Sequence, residues 1–420
     1  MKEKIIYMTD HSRLTGFGNI AHNVCKGAAE AGYVTFFLGW GFRADGAYPR
    51  DNYTLLPSGN GTFGEDVLPY YIQQIKPEIL IIQCDARMCM WVPEMLRQMP
   101  NKPIWLLYPV IDGNVWDYEG KNTKWPSNWA ACIKAADKVV AMTKYGQNIL
   151  KENGIESTVI YHGVDTSMFK PASEEAKKQI KAQAGLSGET FVFGGVFKNM
   201  QRKNPEKYLQ AFKIFLNSKE LTDAERGKMV LLMHTNPRPG GAGEYDLVQQ
   251  AIDYGLEPGK NVMFSTGNVP PEVMPLLFQS MDVYLQLGGM EGFCLPLAEA
   301  ASTGLPIIAN DSSTHEELVG DIGLISECPK FNKNHRITYG SYNGVECDLA
   351  DPWDVAKKML RLYKDEALRK ALGFKATEKS LKEFDWRIII PKWLEVVKSL
   401  IISEEQIPDA WKALYDQTKV

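Results

Sequence analysis

Residues 288–300 read Gly288-Gly289-Met290-Glu291-Gly292-Phe293-Cys294-Leu295-Pro296-Leu297-Ala298-Glu299-Ala300, two carboxylates set among glycines and small residues. A strand candidate, residues 283–287, precedes them. Pro296 suits the first turn of a helix, where no N–H is needed. Gly304 suits its C-terminal cap, and Pro306 stops it from continuing. Glycines ahead of a helix let backbone N–H groups approach an anion, and the helix dipole favours negative charge there. A diphosphate is the natural guest. Glu299, about one turn inside the helix, can accept hydrogen bonds from two neighbouring ribose hydroxyls, and Glu291, ahead of it, can reach a sugar. On spacing alone the segment is equally a strand–turn–helix unit with exposed glutamates.

A second glycine loop, Thr15-Gly16-Phe17-Gly18-Asn19-Ile20-Ala21, opens a helix after the first strand candidate. Taken literally it is GxGxxA, a dinucleotide fingerprint, and supports an NAD(P)-dependent oxidoreductase as a rival. Residues 10–14 intervene, so the tight turn is missing. The second strand ends in Gly39-Trp40-Gly41-Phe42, with no acid for ribose hydroxyls, although Arg43 suits a 2′-phosphate.

The elements that must position these residues alternate regularly. Strand candidates are residues 4–9, 34–38, 79–83, 104–108, 138–142 and 158–161. After a polar stretch at 163–181 they resume at 191–197, 228–234, 262–265, 283–287 and 306–310. Helical patterns lie between them, including 17–31 closed by Gly32, 144–152 and 206–216. Continuous apolar strands alternating with helices predict parallel sheets covered on both faces. The fold class expected is α/β, two doubly wound, Rossmann-like domains facing across a cleft, with ligands beyond the carboxyl ends of the strands. A helix over 386–400 carries Ile389, Trp393, Val396 and Val397 on its apolar side, and an amphipathic piece surrounds Trp411.

With 420 residues the chain exceeds one ordinary core, and roughly 150 residues per domain predicts two. A net charge of −4 offers no basic excess for nucleic acid. No apolar run reaches the roughly 18–20 residues of a membrane span, and the first residues do not form a signal peptide. Seven scattered cysteines without CxxC, and no HExxH, read as reduced thiols in a cytoplasmic protein rather than a disulfide frame or zinc site.

Glu291-x7-Glu299 within GFCLPLAEA resembles the EGFGLxxxEA signature of retaining GT-B glycosyltransferases, family 4 in particular. Tyr161-His162-Gly163-Val164-Asp165-Thr166-Ser167-Met168-Phe169 is similar to that family's NGVDxxxF segment at the domain junction, and Phe384-Asp385-Trp386 to its FSW element. The resemblance implies an acceptor-side domain over 1–168, a donor-binding domain over 169–385, and C-terminal helices over 386–420 returning to the first domain. It implies transfer of a hexose from a nucleotide-diphosphate sugar, such as UDP-glucose or GDP-mannose, with retention. Lys198-Asn199-Met200-Gln201-Arg202-Lys203 resembles the Arg-x4-Lys pair that grips the diphosphate. Lys203 matches the lysine, and Lys198 replaces the arginine, losing its bidentate fork, so Arg202 can share the task. By itself this cluster is more often a solvated charge run.

The resemblance also gives Gly292, Phe293, Cys294 and Leu295 to the donor site, and Glu291 and Lys203 to catalysis. Gly267-Asn268-Val269 is similar to the loop whose backbone meets the base, or is simply a turn before Pro270-Pro271. Gly16 and Gly18 fall where the family has a glycine loop across from the donor phosphates. Asp112 stands near the family's usual histidine; it takes that histidine's place or merely caps a turn. His11 and His162, also near strand ends, are more often structural. Paired glutamates on one element argue against glycoside hydrolysis, which needs carboxylates flanking the bond. With no Asp-x-Asp, the basic residues replace a divalent ion, and no metal or other cofactor is expected. The acceptor is unread: glycan, lipid, small molecule or modified nucleobase. Peripheral membrane contact is compatible with a lipid. Trp91, Trp105, Trp116, Trp125 and Trp129 stack on it or simply pack, and residues 112–127 resemble a lid. A catalytically silent nucleotide-sugar binding protein is the third reading.

Overall fold

The computed structural model describes residues 2–12, 15–115, 125–241, 243–267, 269–332, 335–340 and 344–401. Asn268, Trp116, most of the 112–127 stretch and the piece around Trp411 lie outside these residues. The chain divides into two compact units, Met1–Val110 with Asn128–Val140 and Arg387–Val420, and Ile111–Ser127 with Ala141–Trp386.

An eight-stranded sheet has the order β3-β4-β2-β1-β5-β6-β7-β8. Its strands are β1 (Lys4–Asp10), β2 (Val34–Trp40), β3 (Tyr48–Arg50), β4 (Tyr53–Leu56), β5 (Ile79–Cys84), β6 (Ile104–Pro109), β7 (Lys138–Ala141) and β8 (Thr158–Val159). All six expected strands form, the last two residues shorter than its apolar run. Every residue of β5 is buried, as a strand covered on both faces requires. Sequence pattern misses the β3–β4 hairpin. Pro49 masks β3 as a strand, being tolerated only because β3 is an edge. The turn uses Asp51 at φ +49° where glycine is usual. Gly32, at φ +103°, follows the helix Gly16–Glu30. The helix Trp386–Ile401 enters this unit from Arg387, and Trp393 meets Tyr108 edge-on at 4.9 Å. A Cβ on Gly27 would lie 2.6 Å from Ile390, so this helix packs directly on backbone.

In the second unit six parallel strands are ordered β11-β10-β9-β12-β13-β14. They are β9 (Phe191–Val196), β10 (Met229–His234), β11 (Val262–Ser265), β12 (Val283–Gln286), β13 (Ile307–Asn310) and β14 (Gly323–Ser326). The core beneath them joins Phe193 to Tyr208, Phe212 and Phe215 of the helix Pro205–Leu216. Strand order reverses between β9 and β12, and the ends of these two strands are where such a sheet is expected to take a ligand. Short strands between Lys330 and Asp348 were not foreseen, because that stretch is polar and lacks apolar alternation.

The two junction motifs pair with each other. Val164 N–H donates to Phe384 O at 2.6 Å, Trp386 N–H to Val164 O at 3.3 Å, and the Thr166 hydroxyl to the Asp385 carboxylate. Gly163 is required because a Cβ there would sit 2.2 Å from the Trp386 ring. Gly163→Ala is expected to cost about 1–3 kcal/mol of stability by overpacking, read as a lower urea midpoint at unchanged slope. Glu317, in the helix His315–Val319, accepts from the N–H groups of Lys144 and Tyr145, both at 2.8 Å, and from the Tyr161 hydroxyl at 2.7 Å. Its charge thus stabilises the N-terminus of the helix Lys144–Glu152. Among the described residues no helix is long and apolar enough to cross a membrane.

Candidate functional site

Two loops end at the reversal point of the second sheet. The first leaves β9 as Lys198–Lys203 and turns at Asn204, whose φ of +49° ends it just before Pro205. Asn204 Nδ2 donates to Leu287 O and Asp348 O, both at 2.9 Å, and so ties this loop to the end of β12. Asn199 anchors its other side, donating to Asn236 O at 3.0 Å and Tyr245 O at 2.7 Å. The second loop runs from Gly288 to Cys294 into the helix Leu295–Ser302. Gly289 N–H donates to Arg202 O at 2.8 Å, and Asp348 N–H to Gly289 O at 3.0 Å. A Cβ at Gly289 would lie 2.2 Å from Asp348 O, so glycine is dictated by this close approach.

The turn into the helix has the donor geometry that an anion requires. Cys294 takes φ +76°, the left-handed region, at the position where the EGFG pattern has glycine. Gly292, Phe293 and Cys294 are buried and Leu295 is half-buried. Among the described residues, the N–H groups of these four consecutive residues have no acceptor. Buried N–H groups without partners are rare, and here they coincide with the positive end of a helix dipole. Tyr161, His162 and Phe384 pack around the Phe293 ring and fix the turn from behind. Burial drives His162 down to about 3, so its ring is neutral and serves packing.

The two glutamates have opposite environments. Glu291 is buried, and burial alone would raise its pKa. The charges of Lys203 and Arg202 outweigh this and hold it at about 2. Its carboxylate pairs with Lys203 Nζ and with Arg202 at 3.4 Å, and accepts from Gln286 Nε2 at 3.3 Å. Glu299 is half-buried, has no side-chain partner among the described residues, and is pushed up to about 7 by burial.

Lys198 is exposed, while Arg202 and Lys203 converge on Glu291. Val269 lies just after β11, an edge strand of the sheet, and Gly267 before it has φ +85°. Asp112 is half-buried beside Tyr145, whose hydroxyl is raised by burial and by Asp348 and Asp112. The following residues pair with the 344–346 stretch, Glu346 N–H donating to Asn114 O at 3.1 Å. Trp125 Nε1 donates to Gly113 O at 3.1 Å, and Trp105 is buried, so both serve packing. In the first unit, Gly18 N–H is already bonded to the Thr15 hydroxyl at 3.1 Å, and a Cβ on Gly18 would lie 2.0 Å from Ser12 O. Backbone packing thus accounts for Gly18, and Gly16 has open space around it. Arg43, the residue kept for a 2′-phosphate, donates to Ser58 Oγ at 2.9 Å.

Sequence reasoning missed Gln286, Ser313 and His315. Ser313 Oγ accepts from Glu291 N–H at 3.0 Å, and His315 is fully buried beside the turn. Only the Asn204-Pro205 dipeptide carried a readable signal for the supporting residues.

Residues 174–379 match the model of the family Glycosyl transferases group 1. The chain is 23% identical over 259 residues to D-inositol 3-phosphate glycosyltransferase of Corynebacterium kroppenstedtii, covering 60% of this chain and 51% of that protein. It spans between 22% and 60% of the length of the curated relatives it matches. Among solved structures, sucrose-phosphate synthase of Thermosynechococcus elongatus superposes with a TM-score of 0.74 at 17% identity, over 95% of this chain and 99% of that one. Anabaena HepE, solved in complex with UDP-glucose, gives 0.69 at 15% identity, over 94% and 99%. These likenesses establish the GT-B fold. The matched segment contains the basic loop, the 288–294 turn and Glu299, so the candidate site lies within the part of the chain that is similar to this family.

Proposed function

We propose that this protein moves a hexose from a nucleotide-diphosphate sugar to an acceptor hydroxyl with retention at the anomeric carbon. The observation that carries this reading is the run of unpartnered N–H groups from Gly292 to Leu295, set beside Arg202 and Lys203 at the sheet's reversal point. Such donors receive a diphosphate without reorganising as its charge develops. Lys203 and Arg202 stabilise the departing diphosphate, with Lys198 at the loop's exposed start. Glu299 takes the ribose hydroxyls. Glu291 sets the position of Lys203 and meets the sugar. The acceptor attacks the same face of an oxocarbenium-like sugar, and the leaving phosphate oxygen takes its proton, so catalysis is mostly positioning and charge stabilisation. The chemistry needs no metal.

A UDP-sugar is the first donor to test, since HepE was solved with UDP-glucose; a GDP-sugar is the alternative. Asp112 takes the place of the family's histidine in this proposal, Gly16 and Gly18 contribute to donor binding, and Asn268 and Val269 meet the base. Free cysteines suit a reducing, cytoplasmic setting, and a lipid acceptor would need only peripheral membrane contact. The test is a thermal-shift series with UDP, GDP, ADP and their sugars. One nucleotide is expected to raise Tm by several degrees at about 100 times its Kd, a stabilisation of about 2.7 kcal/mol. Hydrolysis of the matching sugar donor then separates an enzyme from a silent binding protein. No shift with any of the three nucleotides would sink the proposal, and an NADPH-dependent absorbance change would favour an oxidoreductase.

A further inference from the structure

Behind the 292–295 turn lies a group of side chains with more donor capacity than the transfer reaction uses. The Cys294 thiol, a ring nitrogen of His315 and a carboxylate oxygen of Glu291 all lie within 4.8 Å of one another, and all three residues are buried. His315 Nδ1 is 3.1 Å from the carbonyl of Asn310, which can only accept. Nδ1 therefore carries the ring proton and Nε2 presents a lone pair. That Nε2 is buried without a hydrogen-bond partner. A ring held by Nδ1–H against a backbone carbonyl is also how metal-binding histidines are oriented.

We propose that Glu291, Cys294 and His315 form a site for a thiophilic divalent cation, best matched by Zn²⁺, and that its occupation switches the donor site off. Sulfur, imidazole nitrogen and carboxylate oxygen are the donors zinc takes, whereas magnesium and calcium take oxygen alone. Zinc bonds of about 2.0–2.3 Å put tetrahedral ligand atoms roughly 3.5 Å apart, so the three atoms must draw in by about 1 Å. Rotation of the Glu291 and Cys294 side chains supplies that movement. Cys294 gives up its thiol proton to solvent on binding, and water fills the fourth position. Glu291 then leaves Lys203 and Arg202 for the dication. Lys203 loses the partner that sets its position, and the 292–295 turn is held from behind by a zinc–thiolate bond. The thiol belongs to this chain rather than to the EGFG pattern, which has glycine there. Metal binding stands independently of the function proposed above; inhibition rests on it.

The test titrates the full chain with Co²⁺ while watching for a thiolate-to-cobalt charge-transfer band, followed by displacement with Zn²⁺. Two variants spare the fold. His315→Asn keeps a donor towards Asn310 and deletes the ligand nitrogen. Cys294→Gly removes the thiol at a φ that glycine prefers. The wild type should bind one cobalt per chain. Cys294→Gly should lose the band, and His315→Asn should weaken binding by at least about tenfold, as losing a ligand exceeds the loss of a second-shell partner. Absence of the band in the wild type, or its persistence in Cys294→Gly, overturns the site. Zinc should also suppress donor turnover in the wild type, reversibly by chelator, and suppress the residual turnover of His315→Asn only at concentrations at least about tenfold higher. A bound metal with undiminished turnover overturns the switch. Zinc-free protein that turns over no donor at all counts instead against the proposed transferase.

Discussion

Lys203→Ala should lower kcat about 100- to 1,000-fold, the usual loss when one preset electrostatic donor is removed. The donor KM should move far less, because the N–H groups of residues 292–295 remain. The same substitution acts on the fold. Glu291 is 7% exposed and Lys203 14% in their side chains, so the pair is largely desolvated. Removing the lysine leaves a buried carboxylate with Arg202 at 3.4 Å as its remaining charged partner, and a loss of about 3 kcal/mol is expected. Activity and stability are separated by the double variant Lys203→Ala/Glu291→Gln. With no buried charge to strand, it should recover most of the stability while turnover stays low. The acid limb carries the same signature. Glu291 is held near 2, below its ordinary 4.5, so its contribution is present above pH 4.5 and is lost as pH falls through about 2. Lys203→Ala should shift that loss to higher pH. Turnover of Lys203→Ala close to the wild type would remove the lysine from the mechanism.

Glu299→Gln should raise the donor KM about 10- to 100-fold at pH 8, as expected for the loss of charged hydrogen bonds worth about 1.5–3 kcal/mol. The effect should shrink at pH 6, because burial raises Glu299 to about 7 and the wild-type residue is then largely protonated. Wild-type KM should therefore fall as pH rises through about 7, and the glutamine variant should show no such step. Stability moves in the opposite sense. With its folded pKa above the ordinary 4.5, Glu299 contributes fully below pH 4.5, and that contribution disappears as pH rises through about 7. Urea midpoints of the wild type should decline across this window by the equivalent of about 2 kcal/mol, allowing for partial exposure. The variant should not follow. Superimposable KM profiles for the two proteins would leave Glu299 without a role in donor binding.

Much of this architecture was legible because buried parallel strands write themselves as unbroken apolar runs. Ile79–Cys84 and Ile104–Pro109 are examples. Elements without that pattern were invisible: β3 has Pro49 at its centre, and the strands between Lys330 and Asp348 are polar. At the site, glycine, proline and charge spacing located the loops after β9 and β12. They did not reveal that Glu291 spends its charge on Lys203 and Arg202, since Lys203 lies 88 positions away and only the parallel pairing of β9 with β12 brings them together. Nor did they single out His315, whose importance lies in a missing hydrogen bond. Gly18 carries a second constraint that its spacing does not show: a Cβ there would lie 2.0 Å from the Ser12 carbonyl oxygen.

Glu317 bears on how the gene can be cut and rejoined. Three groups before residue 169 depend on its carboxylate, at Lys144, Tyr145 and Tyr161. A chimera spliced at 168/169 would pair one parent's helix start with another parent's anion, and a fragment beginning at 169 would strand that anion altogether. Grafting a new acceptor half onto this donor half should therefore succeed with crossovers near residues 110, 128, 141 and 386, where the chain's own contacts divide, and fail at the single boundary that the junction motif suggests.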